Sequence, residues 1–562
     1  MVSHWKIHPA DPPRARTLAD RLGIHQITAQ LLLNRGVTTP TDAERFFRPT
    51  IEALGDPFML PEMARGVDRI RQAIASREPI LIFGDSDVDG LTASVILYEA
   101  LQGLGAVVRI KASNRITDGY GLPQSVVTQL CRSAIKLVIL VDCGTNQPEA
   151  VEALAARGIE TLIIDHHVPL KRWAKPAALI NPHHEGHVGR ELCSAGLAFK
   201  VAQALWKETA SERLRDALDL AALGTLADCS PLVKENRILV SEGLERIVQS
   251  RRNGLRRLCE ATDTLKPDVE HVIRRLVPRL NASGRLGDPA AVWNLLHSAG
   301  EERVDEWLAL AESAHATTKQ LYRQFQGEAF EQVNRLHFRD QYVVVVSRPG
   351  WHQGLMGPLA SQLAERYNRP AIAIAINRQH GVGSGRSVAM FNLLNVLQQC
   401  EELLVAFGGH AHACGLTIAQ ERVEEFRVLV NRHAREQLGR EGLLRTRTMD
   451  VELPLEALGP AWVQDVERFA PFGMGNPRPT AVIRHLLLEA ASPRTGWVSD
   501  GSVRLRVKGT LPTPVPGARY DVVAVPALQD GAVVLTVSET RLSTGPSGRA
   551  PSADTLYRRA LV

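Results

Sequence analysis

Short apolar runs alternate with helical patterns between residues 65 and 230 of the chain. Each run is followed by polar or glycine-containing sequence. A strand buried on both faces has apolar residues at successive positions, so this alternation predicts a parallel sheet covered by helices on both sides. The candidate strands are residues 80–83, 106–110, 137–141 and 161–164.

The pattern changes further along the chain. Residues 235–340 are mostly helical by pattern, and the absence of proline between 301 and 338 predicts a long helix. A second α/β pattern begins with apolar runs at 342–346 and 371–376 and continues through glycine-rich loops to about residue 440. Residues 447–542 are β-rich. There Arg504, Arg506 and Lys508 alternate with apolar residues, which predicts a strand with one cationic and one apolar face.

A chain of 562 residues is too long for one hydrophobic core, so several domains are expected. We predict an α/β fold with an N-terminal extension, a parallel-sheet domain, a helical region with a long connecting helix, a second α/β domain, a β-barrel and a flexible tail. Their bounds are 1–64, 65–235, 236–338, 339–442, 447–543 and 544–562.

Composition narrows the functional classes. The formal charge is only +5, so nucleic-acid binding must come from local basic surfaces, and an aromatic content of 5% argues against a large base-stacking surface. Seven scattered cysteines without a CxxC pair argue against a disulfide framework and a zinc ribbon. No signal-peptide core or run of about 18 apolar residues is present, so we expect a cytoplasmic protein outside the membrane.

Three aspartates at alternate positions, Asp85, Asp87 and Asp89, directly follow the first apolar run. If the extended conformation persists, they lie on one side of the strand. Clustered carboxylates repel one another, and a divalent cation is the usual compensation. An EF-hand loop begins with the same pattern, but it needs a glutamate where this chain has Ile96. A solvated acidic turn is the other alternative.

More acids and imidazoles follow the later runs. Asp142 follows 137–141, the triplet 165–167 (Asp-His-His) follows 161–164, and Asp228 follows a helical stretch. Any one of these aspartates is often only a helix cap. However, the carboxyl ends of parallel strands share one edge of a sheet, so we expect the group to converge there. Oxygen and nitrogen ligands without thiolate favour Mn²⁺ or Mg²⁺, and their number suggests two ions and phosphoester hydrolysis.

In order and spacing, these segments resemble the four motifs of the DHH phosphoesterase superfamily. The matching segments are residues 85–90, 141–144, 165–167 and 224–228. The resemblance implies that Asp142 bridges two ions and that His167 faces the scissile phosphate. It also implies metal ligands on each side of Asp142, which are Asp85 and Asp87 for one ion and Asp89, His166 and Asp228 for the other.

The resemblance extends beyond the first sheet. Residues 407–415 are similar to the GGH motif of a DHHA1 domain, which implies that His410 reaches the scissile phosphate or a water on the metal. Residues 383–387 resemble its serine/arginine loop, and their glycines would let backbone N–H groups cradle a phosphate. A plain glycine turn is the alternative there. The implied phosphate-binding side chains are Arg115, Arg285, Ser384 and Arg386.

Segments 278–285, 351–354 and 472–477 resemble the RecJ family of bacterial exonucleases. This resemblance implies a DHH domain, a DHHA1 domain and an OB-like barrel, with Arg504, Arg506 and Lys508 binding DNA. It also implies a monomer that degrades single-stranded DNA from the 5′ end with two Mn²⁺ or Mg²⁺ ions, acting in DNA repair and recombination. Single-strand-binding protein and a recombination helicase are the implied protein partners.

Two alternatives remain open. The first is a phosphodiesterase that acts on short oligonucleotides or cyclic dinucleotides, in which case the basic C-terminal domain would be dispensable. The second is a catalytically inactive scaffold. The clustered aspartates argue against a scaffold, because a protein without a metal has no reason to keep like charges together.

Overall fold

A computed structural model describes residues 4–543, except for 118, 171, 185, 187, 208–210, 298–302, 337–340, 390 and 440–444. The predicted tail, residues 544–562, lies outside the described residues. The chain forms two compact units. The first unit comprises Gly55–Asp228 and Gly243–Arg445, and the second comprises residues 4–54, Cys229–Glu242 and residues 446–543.

The strands are numbered in chain order. They are β1 (His4–Ile7), β2 (Ile80–Gly84), β3 (Val108–Ala112), β4 (Leu137–Val141), β5 (Glu160–Ile164), β6 (Ala178–Ile180), β7 (Val344–Pro349), β8 (Ala371–Asn377), β9 (His380–Arg386), β10 (Leu404–Gly409), β11 (Ala413–Ala419), β12 (Thr446–Met449), β13 (Val451–Glu452), β14 (Ala481–Ser492), β15 (Thr495–Ser499), β16 (Arg504–Gly509), β17 (Arg519–Gln529) and β18 (Ala532–Leu542).

The helices are numbered in the same way. They are α1 (Pro12–Leu22), α2 (Gln26–Asn34), α3 (Pro40–Phe47), α4 (Met63–Ala75), α5 (Val88–Gly103), α6 (Gln124–Leu130), α7 (Pro148–Ala155), α8 (Ser194–Trp206), α9 (Glu212–Asp216), α10 (Leu218–Ala227), α11 (Lys234–Val248), α12 (Asn253–Ala261), α13 (Val269–His271), α14 (Val277–Leu286), α15 (Ala290–His297), α16 (Val304–Asn334), α17 (Met356–Tyr367), α18 (Leu393–Gln398), α19 (Val423–Leu438) and α20 (Pro460–Glu467).

The predicted parallel sheet is confirmed in the first unit. Its strand order is β3-β2-β4-β5-β6, and every pair is parallel. Side chains alternate between two buried faces. Helices α6 and α7 pack on the face of Phe83 and Leu140, and α5 packs against β2 on the other. Covering both faces requires apolar residues at nearly every strand position, which explains the continuous runs in the sequence.

A second sheet in the same unit has the order β10-β11-β9-β8-β7. Its strand β9 contains most of the segment that was predicted to be a glycine-rich phosphate loop, so that prediction is wrong. The amides of β9 pair with β8 on one side and β11 on the other, which leaves no open backbone cradle. The glycines serve packing instead, because a Cβ on Gly381 or Gly385 would lie 2.6 Å from Ile374 or Leu393.

The predicted long helix is confirmed as α16, which has 31 residues. It contacts α14, the helix that carries Arg285, and also β7 of the second sheet. Among the described helices, none combines the length and apolar character that a bilayer crossing requires.

The second unit contains a closed five-stranded barrel. Strands β14-β15-β16-β18-β17 are neighbours in that order, and pairing of β14 with β17 completes the ring. Residues 4–54, which lie within the predicted N-terminal extension, belong to this unit. Strand β1 pairs with β12, and apolar residues of α1 and α2 share one core with the barrel.

Candidate active site

The first acidic segment turns from strand to helix after Asp85. The extended conformation does not persist, because Asp87 is the N-cap of α5 and accepts a hydrogen bond from the Gly90 amide at 3.1 Å. Asp89 therefore lies in the first helical turn. A Cβ on Gly90 would lie 2.6 Å from the Asp85 carbonyl oxygen, so the tight turn requires glycine there. This turn therefore brings the three aspartates together, and the alternation of side chains along a strand does not.

Asp142 lies at the carboxyl end of β4 in a left-handed conformation, with a φ of 59°. Such a conformation costs about 1–2 kcal/mol for a residue other than glycine and needs support from its surroundings. The Tyr120 hydroxyl donates to the Asp142 carbonyl at 3.0 Å, and the Ser194 hydroxyl donates to its carboxylate at 2.9 Å. The first contact supports the backbone of Asp142, and the second holds its carboxylate in place.

The six predicted metal ligands, together with His167, form three overlapping groups, and within each group the ligand atoms lie within 4.8 Å of one another. The groups are Asp85, Asp87 and Asp142; Asp89, His166 and Asp228; and Asp142, His166 and His167. His166 Nε2 lies 3.3 Å from Asp142, 3.8 Å from Asp89 and 3.9 Å from Asp228. Asp142 belongs to two groups, which fits a bridging position.

The electrostatics of this cluster fit divalent cations. Desolvation and repulsion from Asp142 raise the pKa of Asp87 to about 7, and the same two causes raise the pKa of Asp89. Burial lowers the pKa of His166, but the surrounding carboxylates outweigh burial and raise it. Carboxylates in this state bind a proton or a cation, and a donor set of oxygen and imidazole nitrogen suits Mn²⁺ or Mg²⁺.

His167 is held by the carboxylate of Asp165. Its Nδ1 lies 2.7 Å from Asp165 and 3.1 Å from the Tyr120 hydroxyl. Burial opposes protonation of His167, but Asp165 outweighs burial and raises its pKa. His410 follows β10, and its ring stacks 6.1 Å from that of His167. Burial and the other two histidines lower the pKa of His410. The surroundings thus raise the pKa of His167 and lower the pKa of His410.

Several supporting residues were not predicted from the sequence. The amides of Ser194 and Ala195 at the start of α8 donate to Asp89 at 2.9 and 2.8 Å. The Ser113 hydroxyl donates to Asp85 at 2.7 Å. No local pattern marks these residues. The negative charge of Asp89 is stabilised by the positive end of the helix dipole.

Helix α14 lies against the acidic turn. The Asn281 side chain accepts a hydrogen bond from the Val88 amide at 3.1 Å, and a Cβ on Gly284 would lie 2.3 Å from the Ser86 carbonyl oxygen. Asn281 and Gly284 lie in segment 278–285, which resembles the RecJ family in sequence. That resemblance is the sequence signal that points to these two residues. The helix therefore fixes the backbone that carries the aspartates.

All four predicted phosphate-binding side chains line one cavity of about 620 Å³. They are Arg115, Arg285, Ser384 and Arg386, and Asp87, Asp89 and Asp228 line the same cavity. Burial, and then repulsion from Arg115, lower the pKa of Arg285. Arg115 also pairs with Asp85 and lies 2.8 Å from Asp87. The cavity is therefore lined by both carboxylates and guanidinium groups, and Arg115 contacts the carboxylates directly.

The predicted DNA-binding strand is β16 of the second unit. Val507 is buried in the barrel, whereas Arg504 and Arg506 are exposed and Lys508 is half-buried, so the predicted alternation is confirmed. Arg504 pairs with Glu489 at 2.5 Å. Other basic residues of this region are also paired, since Arg484 contacts Glu452 and Asp521.

Comparison with known proteins identifies three domains in chain order. The models of the DHH family N-terminal domain, the DHHA1 domain and the RecJ OB domain match residues 79–225, 340–436 and 449–508. The crystal structure of RecJ from Thermus thermophilus with Mn²⁺ has a TM-score of 0.84 and 25% identity, covering 96% of this chain and 80% of that one.

Curated relatives are named single-stranded-DNA-specific exonuclease RecJ. The Bacillus subtilis protein is 34% identical over 86% of this chain, which spans 62% of that relative's length. The Dickeya dadantii protein is 33% identical over 82% of this chain and 84% of its own length. From this identity and coverage, together with the three matched domains, the chain belongs to the RecJ family.

Proposed function

We propose that this chain is a metal-dependent exonuclease that hydrolyses single-stranded DNA from its 5′ end. The curated relatives carry the name of a single-stranded-DNA-specific exonuclease. The 5′ polarity rests on the resemblance to the family. We further infer that the enzyme works in the cytoplasm as a monomer, with single-strand-binding protein and a recombination helicase as partners.

One observation carries the proposal. A single cavity is lined by acids of the metal-ligand groups and by three arginines whose side chains reach the same space. The acids favour cations, and the arginines favour an anion with several oxygens. A phosphodiester beside divalent cations satisfies both requirements at once. A Cβ on Gly357 would lie 3.0 Å from Arg386, so the glycine leaves room for this guanidinium.

The residues suggest a division of labour. Two bound cations would lower the pKa of the attacking water and offset charge on the phosphoryl oxygens. Asp142, which belongs to two of the three ligand groups, would serve both ions, while Arg115, Arg285, Ser384 and Arg386 would hold and orient a substrate phosphate. His167, with its raised pKa and its Nδ1 fixed by Asp165, would supply a proton to the leaving oxygen.

The barrel supports a long substrate over a dinucleotide, because a small substrate would not need a separate domain with exposed Arg506 and partly exposed Lys508. A truncation after residue 445 is a poor test of this point. It would remove the core partners of α1 and α2 and destabilise the whole second unit. Substitutions on the barrel surface are therefore the better choice.

The test uses single strands labelled at either end, with duplex DNA as a comparison, in Mn²⁺ or Mg²⁺. We expect mononucleotides to appear first from the 5′ end of single strands and the duplex to be resistant. Asp142→Ala should abolish hydrolysis while DNA binding persists. Substantial hydrolysis by Asp142→Ala would refute the metal assignment, and release from the 3′ end first would refute the polarity.

A further inference from the structure

We propose that Trp497 stacks against a base of single-stranded nucleic acid on the outer surface of the barrel. The inference rests on the proposed function, because it assumes a single-strand substrate, and it adds a binding residue of a different chemical kind. Arginine and lysine contact phosphates, whereas an exposed indole contacts the flat face of a base.

Trp497 lies on β15 and points away from the barrel core. Its neighbours Gly496 and Val498 are buried, and Val498 belongs to the core of the second unit. The side chain is 39% exposed. Of the eight tryptophans in the chain, all within the described residues, Trp497 is the single exposed one. Exposing a large indole ring loses the stability that burial would give, so a binding role accounts for it.

Cations lie on the β16 side of Trp497, whereas its partner on β14 is Glu489, which pairs with Arg504. Arg506 of β16 is its direct cross-strand partner, and Lys508 pairs with Thr495, one step along the same surface. Successive outward residues of a strand are about 6.6–6.8 Å apart, so these two cations can contact neighbouring phosphates of an extended strand. No ion pair of Arg506 or Lys508 is found among the described residues, so both are available to an anion.

Arg504 orients the indole. Its guanidinium carbon lies 4.8 Å from the ring centroid, and Glu489 of β14 holds it there through a contact of 2.5 Å. Trp497 remains 39% exposed with Arg504 against it, so part of the residue stays accessible to a base. A ring held in advance loses little conformational entropy when a base binds.

Another arginine–tryptophan pair shows the contrast within the same unit. Arg541 lies 4.0 Å from the ring centroid of Trp5, but the indole N–H donates to Glu539 at 2.7 Å and the ring packs against a small apolar cluster. Trp5 is therefore engaged by a hydrogen bond, an arginine and apolar neighbours within the fold. Trp497 differs in its greater exposure and in its neighbours Arg506 and Lys508, for which the described residues offer no ion pair.

The experiment compares two strands of equal length, oligo-dT and a fully abasic deoxyribose-phosphate strand. Binding of the full-length chain is measured by fluorescence anisotropy in EDTA, which prevents cleavage. We expect Trp497→Ala to weaken oligo-dT binding about 5- to 150-fold and to leave binding of the abasic strand within about twofold. Arg506→Ala should weaken both, because it removes a phosphate contact.

Two controls address folding and specificity. Trp497→Phe should retain most of the affinity for oligo-dT, because it keeps an aromatic face. Trp307→Ala, which removes a tryptophan beneath Arg303 in α16, should bind both strands like the wild type. Unchanged oligo-dT binding by Trp497→Ala, or an equal loss on both strands, would overturn the inference. If the wild type digests labelled single strands, that outcome leaves the proposed function standing.

Discussion

Replacing Ser194 by alanine tests whether the fold around Asp142 sets the metal affinity. Ser194 is fully buried, and its hydroxyl donates to the Asp142 carboxylate at 2.9 Å. Its backbone amide donates separately to Asp89. The substitution therefore deletes one hydrogen bond to the shared carboxylate and keeps both the helix α8 and the amide contact.

The expected loss of Mn²⁺ affinity follows from the contact between this hydroxyl and the carboxylate of Asp142. Partners that hydrogen-bond a metal ligand typically contribute 10- to 100-fold in metal affinity, because they orient the ligand. This range corresponds to about 1.4–2.8 kcal/mol. We expect Ser194→Ala to weaken Mn²⁺ binding by this factor and to shift the Mn²⁺ concentration for half-maximal hydrolysis equally. At saturating Mn²⁺, most of the hydrolysis rate should return.

Free Mn²⁺ is measured by electron paramagnetic resonance during titration of the protein. Ser211→Ala is the matched control, because its hydroxyl caps α9 by accepting from the Leu214 amide at 3.3 Å. It deletes the same atom at another helix start, and Mn²⁺ binding should not change. Wild-type affinity in Ser194→Ala would refute the reasoning, as would an equal loss in the control.

Three further predictions concern the linker helix, a buried ion pair and the barrel. Gly284→Ala should push the acidic turn aside and lower hydrolysis of single strands by about 10²-fold, whereas Gly327→Ala, with open space around it, should leave the rate unchanged. Arg252→Leu leaves the buried carboxylate of Asp219 without its cation. It should lower the free energy of unfolding, measured by thermal unfolding, by about 3–5 kcal/mol. Arg257→Leu removes an exposed ion pair and should leave the melting temperature unchanged. Burial raises the pKa of Asp521, but hydrogen bonds and arginines outweigh burial and lower it. Its stabilisation is therefore present above about pH 4 and lost on acidification, so Asp521→Asn should flatten the fall in melting temperature between about pH 5 and 3. An unchanged slope would contradict this.

The first sheet could be predicted because its strands are buried on both faces, and such strands have continuous apolar runs in their sequence. Strand β9 could not be predicted, because glycines are more common in loops than in strands. In the fold they make room for Ile374 and Leu393. The association of α1 and α2 with the barrel also left no local signal, since packing between distant segments is not encoded in either one.

The site residues that follow strands could be predicted, since the topology of a parallel sheet brings strand ends to one edge. Asp142 and His166 are examples. Ser194, Ser113 and Asn281 could not be predicted in their supporting roles. Their side chains act through hydrogen bonds to residues far away in the chain, and no local sequence pattern distinguishes such a serine or asparagine from an ordinary one.

The pairing of β1 with β12 has a consequence for synthesis on the ribosome. Helices α1 and α2 are made before the barrel strands, and their apolar faces lack this partner until those strands leave the exit tunnel. These two helices thus reach their final packing only after the barrel strands have been made. During translation these helices remain a target for chaperones, and premature termination leaves them exposed to aggregation.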